Sequence, residues 1–202
     1  MLNERYAAEA ERISKLELDH DADLAHPVFG EGNSESPLIM FIGEAPGREE
    51  AASGRPFVGK AGKQLDGMLA LAGIDRSRVF VTNTVKYRPT QRYGQRISNR
   101  TPTVNEVKQG LPLLAFEIAC VRPTVIATLG NVPLSALRLI SPSKDDRLTV
   151  GEAHGMPTVI LLEHGPQMLF PLYHPAASIY NRELKPVLEA DLKRLGDLVR
   201  SL

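Results

Sequence analysis

The chain has 202 residues, and its content of 43% hydrophobic and 24% charged residues is that of an ordinary globular protein. The formal net charge at pH 7 is zero, so affinity for an anionic partner must come from local basic clusters rather than from an overall positive field. The single cysteine excludes an internal disulfide and any four-cysteine metal site within one chain.

The N-terminal segment, residues 1–27, is predicted to form a helix and a lead-in to a single domain over residues 1–202. Its apolar positions follow the three- and four-residue spacing of an amphipathic helix: Tyr6, Ala10, Ile13 and Leu16. The segment lacks the basic start and apolar core of a signal peptide, and no run in the chain is apolar over a membrane-spanning length. We therefore expect a soluble, cytoplasmic protein with no membrane contact.

Beyond residue 37 the chain alternates short apolar runs with helical patterns. The runs that predict strands are 38–42, 78–85, 124–129, 157–162 and 168–172. The patterns that predict helices are 60–73, 103–119, 131–140 and 183–201. In the second helical pattern, Thr103 and Glu106 have the spacing of a capping box. Near-continuous apolar strands that alternate with helices indicate an α/β fold with a mainly parallel sheet covered on both faces.

The segments that leave the predicted strands should meet at one edge of this sheet. Ligands of open α/β folds collect beyond the carboxyl ends of the strands. The segments at these ends are 43–47, 83–88, 130–131 and 174–179. Side chains in these four segments are therefore the first candidates for a functional site.

Two candidates follow the first predicted strand. Glu44 lies between Gly43 and Gly47 and is either a solvated turn residue or a site carboxylate, and the glycines favour close approach of a ligand to the backbone. Phe57 follows Pro56 in a glycine-rich loop, and its ring either folds back onto the core or is presented as a platform for a flat ligand.

The end of the second predicted strand carries Asn83 and a basic stretch. The amide of Asn83 either forms an Asx turn or reads the edge of a nucleobase, because it offers a donor and an acceptor side by side. Between residues 86 and 100 there is no acidic residue, and the basic residues are Lys86, Arg88, Arg92, Arg96 and Arg100. This stretch is either a solvated loop or a surface that grips phosphates.

His174 follows the last predicted strand, and Arg182 comes shortly after it. A lone histidine is more often structural than catalytic, but its position at the predicted ligand edge makes His174 a candidate. The motifs of zinc proteases, serine hydrolases, P-loop NTPases and Rossmann dinucleotide-binding proteins do not occur in the sequence.

Six segments in a fixed order resemble the uracil-DNA glycosylase superfamily, and most closely its iron–sulfur (type 4) branch. They are VFGEGN (28–33), GEAPGREE (43–50), GRPFVGKAG (54–62), VTNTVKYRP (81–89), RPTVIATLG (122–130) and YHPAAS (173–178). The resemblance implies a three-layer α/β/α sandwich around a four-stranded, mainly parallel central sheet. This agrees with the fold class predicted from the alternating strands and helices.

The resemblance also implies how a base would be recognised. Phe57 would stack on a uracil extruded from DNA, and Asn83 would donate to its O4 and accept from its N3–H. His174 would lie near O2, where negative charge grows as the base leaves. Further residues of the substrate pocket would be Gly43, Ala45 and Gly47.

For the water and the DNA strand, the resemblance again implies particular side chains. The water would be oriented or activated by Glu44, with Glu49 and Glu50 as alternatives. The DNA would be held by Lys86, Arg88, Arg92, Arg96, Arg100, Ser178, Ile179 and Arg182. Of Ser178 and Ile179, the second is the better candidate for an apolar wedge.

Several positions depart from the family pattern. Tyr87 and Gly110 stand where cluster cysteines would be, and residues 1–30 contain no cysteine, so we expect packing and the N-terminal helix to replace the cluster. Ala45 stands where the faster branch has an aspartate for the water. Gly47 stands where that branch has a tyrosine that excludes the thymine methyl group, so selectivity against thymine must come from elsewhere.

The predicted function is that of a monofunctional glycosylase that excises uracil from DNA and so initiates base excision repair. Its partner would be uracil-containing or abasic DNA, it would act as a monomer, and its chemistry would need neither a metal nor a cofactor. Two alternatives stay open at this point. One is a protein that binds uracil or abasic sites with weak turnover, and the other is a glycosylase for hypoxanthine or xanthine.

Overall fold

The computed structural model describes residues 1–142 and 149–202. The helices are α1 (Leu2–Ser14), α2 (Arg48–Ser53), α3 (Lys60–Leu71), α4 (Val104–Val121), α5 (Asn131–Ile140), α6 (Val150–Ala153), α7 (Ala177–Tyr180) and α8 (Leu184–Ser201). The strands are β1 (Ala22–Asp23), β2 (Glu31–Gly32), β3 (Ile39–Gly43), β4 (Val79–Asn83), β5 (Arg88–Tyr93), β6 (Arg96–Asn99), β7 (Val125–Leu129), β8 (Thr158–Leu162) and β9 (Gly165–Leu172). No helix in these two stretches is both long and apolar enough to cross a membrane.

The central sheet has six strands in the order β2-β4-β3-β7-β9-β8. The strands β4, β3, β7 and β9 run parallel, whereas β2 and β8 add antiparallel edges. The predicted α/β class is therefore confirmed, but the expectation of four strands is wrong. The two-residue β2 is too short to leave a periodic signal in the sequence, and β8 joins the sheet as the antiparallel partner of β9.

Helices cover both faces of this sheet, as the α/β/α prediction requires. Along β3 the side chains alternate between faces, since successive residues of a strand point in opposite directions. Ile39 and Phe41 join the core with α3 and α8, while Met40 and Ile42 join the core with α1, α4 and α5. Each of these four side chains is fully buried, and full burial of such a side chain contributes roughly 1.5–3 kcal/mol.

The capping box predicted at the start of α4 is present. The amide of Glu106 donates to Thr103 Oγ1 at 3.2 Å, and the amide of Thr103 donates to Glu106 Oε2 at 2.7 Å. These two bonds satisfy backbone donors that a helix start leaves without partners. They fix the point at which the chain turns from the basic stretch into α4.

The basic stretch 86–100 is not a loop, as the sequence suggested, but the hairpin β5–β6. Its turn places Gly94 at a φ of 59°, a conformation that glycine adopts without strain. Pairing of β1 with β5 completes a second, three-stranded antiparallel sheet. In β5 the adjacent residues Pro89 and Thr90 are buried and the last two residues are exposed, and β6 is mostly exposed, so the alternation that identifies a half-buried strand is missing.

Candidate functional site

A cleft of about 800 Å³ opens between the carboxyl ends of the parallel strands and the β5–β6 hairpin. The candidates for base binding and for the apolar wedge that line it are Ala45, Gly47, Phe57, Asn83, His174 and Ile179. They come from the ends of β3, β4 and β9, from the loop before α3 and from α7. The fold thus brings residues that are far apart in the sequence to the edge where an α/β sheet binds ligands.

Gly43 marks the point where Phe57 and Asn83 meet. A Cβ atom built on Gly43 would lie 2.4 Å from Asn83 Oδ1 and 2.6 Å from Phe57 Cζ. Gly43 pairs with Asn83 across the parallel ladder of β3 and β4. Because even a methyl group would overlap both side chains, the absence of a side chain at Gly43 is what lets ring and carboxamide approach the same spot.

Phe57 is presented by a strained loop that packs against α3. Its φ is 56°, a left-handed conformation that costs a non-glycine residue roughly 1–3 kcal/mol. A Cβ built on Gly62 of α3 would lie only 1.8 Å from the carbonyl oxygen of Phe57, so this helix approaches the loop closely. The ring is half-buried, touching the core that contains α3 and α8 while lining the cleft.

Glu50 ties the two loops of the cleft together. Its Oε2 accepts from the amide of Gly47 at 3.1 Å, and its Oε1 accepts from the amide of Gly59 at 2.7 Å. One carboxylate therefore joins the segment after β3 to the segment that carries Phe57. Glu50 is one of the three glutamates considered for orienting the water, and both of its carboxylate oxygens already accept hydrogen bonds from backbone amides.

His174 has a defined tautomer in this site. The amide of Ala176 donates to His174 Nδ1 at 3.1 Å, so Nδ1 acts as an acceptor and the proton of the neutral ring lies on Nε2. Burial lowers the pKa of His174, and the negative charge of Glu50 acts weakly in the opposite direction. At neutral pH the imidazole is an uncharged donor through Nε2–H.

Glu44 lies beside the cleft rather than among the residues that line it. Burial raises the pKa of its carboxyl group, and a hydrogen bond with the side chain of Thr101 lowers it in part. The Glu44 carbonyl accepts from the amide of Val85 at 3.0 Å, which fixes its backbone to the end of β4. Glu49, in contrast, is exposed and lines the cleft.

The charged lining of the cleft is predominantly basic. Two of the predicted DNA contacts, Arg88 and Arg96, reach it from the hairpin, and Arg88 Nε donates to Asn99 Oδ1 at 2.6 Å. Sequence reasoning missed Arg48 and Lys60, which also line it and belong to the resembling segments GEAPGREE and GRPFVGKAG. With Glu49 and Glu50 as the acidic members, cations outnumber carboxylates around this opening.

Two of the residues predicted to contact DNA are buried and engaged in contacts within the protein. Lys86 is 2% exposed and forms an ion pair with the fully buried Glu117. Ser178 is 6% exposed, donating to the carbonyl of Pro175 at 3.0 Å and accepting from the side chain of Gln64. Neither side chain can reach a phosphate in this structure.

The other predicted DNA contacts differ in how exposed their side chains are and in whether they are already paired with an acidic residue. Arg100 forms two hydrogen bonds with Glu106, at 2.6 and 2.7 Å, and its side chain is 13% exposed. Arg92 lies 3.4 Å from Asp21 with both side chains exposed, a pair that binds only weakly. Arg182 is exposed but stands outside the lining of the cleft.

Further polar and apolar groups of the cleft were not foreseen. Ser98 and Asn99 line it from the hairpin, and the buried hydroxyl of Ser98 has no hydrogen-bond partner in the described part of the chain. Tyr180, 90% exposed, was also not foreseen, and it lies at the same opening as the predicted wedge residue Ile179, which is 48% exposed. Recognising the hairpin from Gly94 would have indicated which residues of the basic stretch face the site.

The residues at the expected cluster positions do not fit a four-cysteine iron–sulfur cluster. Tyr87 is buried, and a Cβ on Gly110 would lie 2.3 Å from the carbonyl oxygen of Thr84, which leaves no room for a ligand side chain there. The single cysteine, Cys120, lies half-buried on α4. Among the described residues no three His, Cys, Asp or Glu side chains group as metal ligands.

Comparison with known proteins identifies the family of the chain. The sequence profile of the Uracil DNA glycosylase superfamily matches residues 29–195. The type-4 uracil-DNA glycosylases of Sulfurisphaera tokodaii and Saccharolobus solfataricus are each 38% identical to the chain, over 85% and 86% of its length and 74% and 76% of theirs. The type-4 uracil-DNA glycosylase of Thermotoga maritima is 34% identical over 86% of the chain and 83% of its own length. The chain belongs to the uracil-DNA glycosylase superfamily.

Proposed function

We propose that this protein excises uracil from DNA by hydrolysing the N-glycosidic bond of a flipped-out nucleotide, the first step of base excision repair. The observation that carries the proposal is the convergence of the Phe57 ring and the Asn83 carboxamide at Gly43 in a cleft that also contains His174. A ring that stacks, an amide that reads an edge and an imidazole that donates are the groups needed to bind and activate a pyrimidine.

Asn83 supplies the selection for uracil. Its amide nitrogen donates to O4 and its oxygen accepts from N3–H, whereas cytosine presents the opposite pattern at these two positions. A cytosine in the pocket would leave buried polar groups without partners, at a cost of about 1–3 kcal/mol each. Asn83 is 4% exposed, so water does not replace those lost hydrogen bonds.

His174 supplies the stabilisation of the leaving base. Breaking the bond between C1′ and N1 leaves positive charge on the sugar and negative charge on uracil, which grows at O2. The neutral imidazole donates to O2 through Nε2–H, because the amide of Ala176 occupies Nδ1. A donor already aimed at developing charge in a water-poor site typically accelerates a reaction by about 10²–10³-fold.

Glu44 orients the attacking water in this proposal. Its carboxyl group is half-buried at the end of β3, where its negative charge also stabilises the positive sugar. Glu49 lines the cleft and is the principal alternative, while Glu50 is occupied by the amides of Gly47 and Gly59. Substitution of each glutamate by glutamine in turn distinguishes the three.

The cationic lining holds the strand while the nucleotide is turned out. Arg48, Lys60, Arg88 and Arg96 contact phosphates, and the exposed side chain of Ile179 enters the space that the base leaves. Flipping costs a few kcal/mol, roughly, which these contacts and stacking on Phe57 offset. The protein acts as a monomer on uracil-containing DNA and retains affinity for the abasic product.

The test is excision from an end-labelled oligonucleotide that contains one uracil, followed by alkaline cleavage and electrophoresis. Matched oligonucleotides carry thymine, cytosine or hypoxanthine at the same position. We expect repeated turnover on uracil alone, and a loss of about 10²–10³-fold for His174→Ala. Preferential release of hypoxanthine, or one turnover with the product retained, would contradict the proposal.

A further inference from the structure

Lys86 and Glu117 form a buried ion pair at the end of β4. The two side chains are 2% and 0% exposed, and Lys86 Nζ lies 2.7 Å from Glu117 Oε2. The same Nζ donates to Thr82 Oγ1 at 2.7 Å and to the backbone carbonyl of Asn83. One buried ammonium group is thus hydrogen-bonded to the residue that reads the base.

These contacts require Lys86 to carry its charge. The hydroxyl of Thr82 donates to Glu117, so its oxygen accepts from Lys86, and the Asn83 carbonyl and the Glu117 carboxylate can only accept. Three acceptors need three N–H bonds, which only the ammonium form provides. Burial lowers the pKa of Lys86, and the charge of Glu117 counteracts that effect.

Glu117 in turn joins three parts of the fold. It lies on α4, accepts from Thr82 of β4 at 3.0 and 3.1 Å, and accepts from the hydroxyl of Tyr6 on α1 at 2.8 Å. A buried ion pair is a poor source of net stability, because desolvation of both charges offsets their attraction. The pair is therefore better explained by the geometry that it imposes on its neighbours.

We propose that Lys86, held by Glu117, is a positioning residue for Asn83, and that Tyr6 connects the N-terminal helix to the same pair. Asn83 is the last residue of β4, and the bond from Lys86 to its carbonyl fixes the peptide plane beside its side chain. The inference rests on the proposed function, in which Asn83 reads uracil. A displacement of about 1 Å in a group that contacts substrate can reduce a rate by about 10²-fold.

The backbone after Asn83 is held rigidly enough to transmit this effect. The amide of Thr84 donates to the Gly43 carbonyl at 2.9 Å, and the amide of Val28 donates to the Lys86 carbonyl at 2.6 Å. With both ends of the 84–86 segment fixed, the Lys86 side chain folds back onto residues three and four positions earlier. Loss of its ammonium group therefore removes one of the two hydrogen bonds that orient the Asn83–Thr84 peptide plane, while the segment itself stays in place.

The experiment is a double-mutant cycle between Lys86→Met and Asn83→Ala, measured as kcat and KM for release of uracil from single-stranded DNA. Lys86→Met is expected to lower kcat by about 10–100-fold in the wild-type background and to have no further effect beside Asn83→Ala. KM and the salt dependence of DNA binding stay unchanged, because a buried ammonium group does not contact phosphates. Arg96→Ala is the matched control, which reduces the salt slope by about one.

Two results would overturn the inference. Equal losses from Lys86→Met in both backgrounds would mean a general structural role, and a weaker salt dependence would mean a phosphate contact. Full activity of Asn83→Ala would be a different result. It would show that Asn83 does not read the base, and it would therefore refute the proposed site rather than the role of Lys86.

Glu117→Gln and Tyr6→Phe repeat the cycle with side chains of nearly the same shape, so the test does not depend on Lys86→Met folding. In the wild-type protein the rings of Tyr6 and Phe29 stack with their centroids 4.6 Å apart. Tyr6→Phe keeps this stacking and loses only the hydroxyl group. Glu117→Gln is expected to follow Lys86→Met, and Tyr6→Phe to show a smaller loss of kcat, again absent beside Asn83→Ala.

Discussion

Gly62→Ala is the substitution whose effect the structure specifies most directly. The new Cβ would lie 1.8 Å from the carbonyl oxygen of Phe57 and 2.8 Å from its Cα. Ordinary contact begins at 3.4 Å, so the carbonyl would have to retreat by about 1.6 Å. The Phe57 backbone is already in a left-handed conformation, so it has little freedom to absorb that movement without moving the ring.

Gly62→Ala should lose activity even in the protein that remains folded. Overpacking typically costs about 1–3 kcal/mol, and replacing glycine by alanine within a helix returns up to about 1 kcal/mol. A displaced stacking ring, in contrast, is expected to reduce the rate of uracil release by about 10²-fold. Urea unfolding and single-turnover excision, measured on the same preparation, separate the two effects.

Gly67→Ala is the matched control on the same helix. A Cβ at Gly67 meets no atom within 4 Å, so this variant should be about 0.5–1 kcal/mol more stable and fully active. If Gly62→Ala excised uracil as fast as Gly67→Ala, the close approach of α3 to Phe57 would not be what places the ring, and the reasoning would fail.

Three further predictions concern recognition, pH and DNA binding. Asn83→Asp loses its donor to O4 and should reduce discrimination between uracil and cytosine by about 10–100-fold, as competition between the two substrates would reveal. Thr101→Val removes a hydrogen bond that lowers the pKa of Glu44, so that pKa rises further. Because the ionised carboxylate is lost as pH falls through its pKa, the acid limb of kcat/KM should move to higher pH, and Glu44→Gln should abolish that limb. Arg96→Ala should reduce the slope of log affinity against log salt by about one, whereas Arg100→Ala, whose guanidinium is engaged by Glu106, should leave the slope unchanged and lower the urea midpoint. If Arg100→Ala reduced the salt slope and Arg96→Ala did not, the DNA phosphates would not lie beside Arg96.

The layers of the fold could be predicted because their signals are local. Near-continuous apolar runs indicated the parallel strands, and the spacing of Thr103 and Glu106 indicated the start of α4, where the capping box is observed. The two-residue strands β1 and β2 lie below the length at which any periodicity is visible. The hairpin was missed because its exposed strands do not alternate between buried and solvent-facing positions.

The burial of two predicted DNA contacts has a different cause, which is a partner distant in sequence. Lys86 looks like part of a basic surface until Glu117 is placed against it, and Ser178 looks exposed until Gln64 reaches it from α3. No pattern within either segment identifies these partners. Conversely, Phe57, Asn83 and His174 could be selected early, because each follows a strand or lies in a resembling segment and the topology of the sheet brings strand ends together.

The β5–β6 hairpin forms one wall of the cleft. It is held in place by residues that precede the stretch that matches the family profile. That stretch begins at residue 29, but Ala22 pairs with Pro89 of β5, and the carbonyl of Asp21 accepts from the amide of Thr90 at 2.9 Å and from Arg100 at 3.1 Å. A shortened protein starting at residue 29 would keep the whole stretch that matches the family profile and lose these anchors. The boundary at which the chain can be trimmed is therefore set by the support of Arg88 and Arg96, not by where the match to the family profile begins.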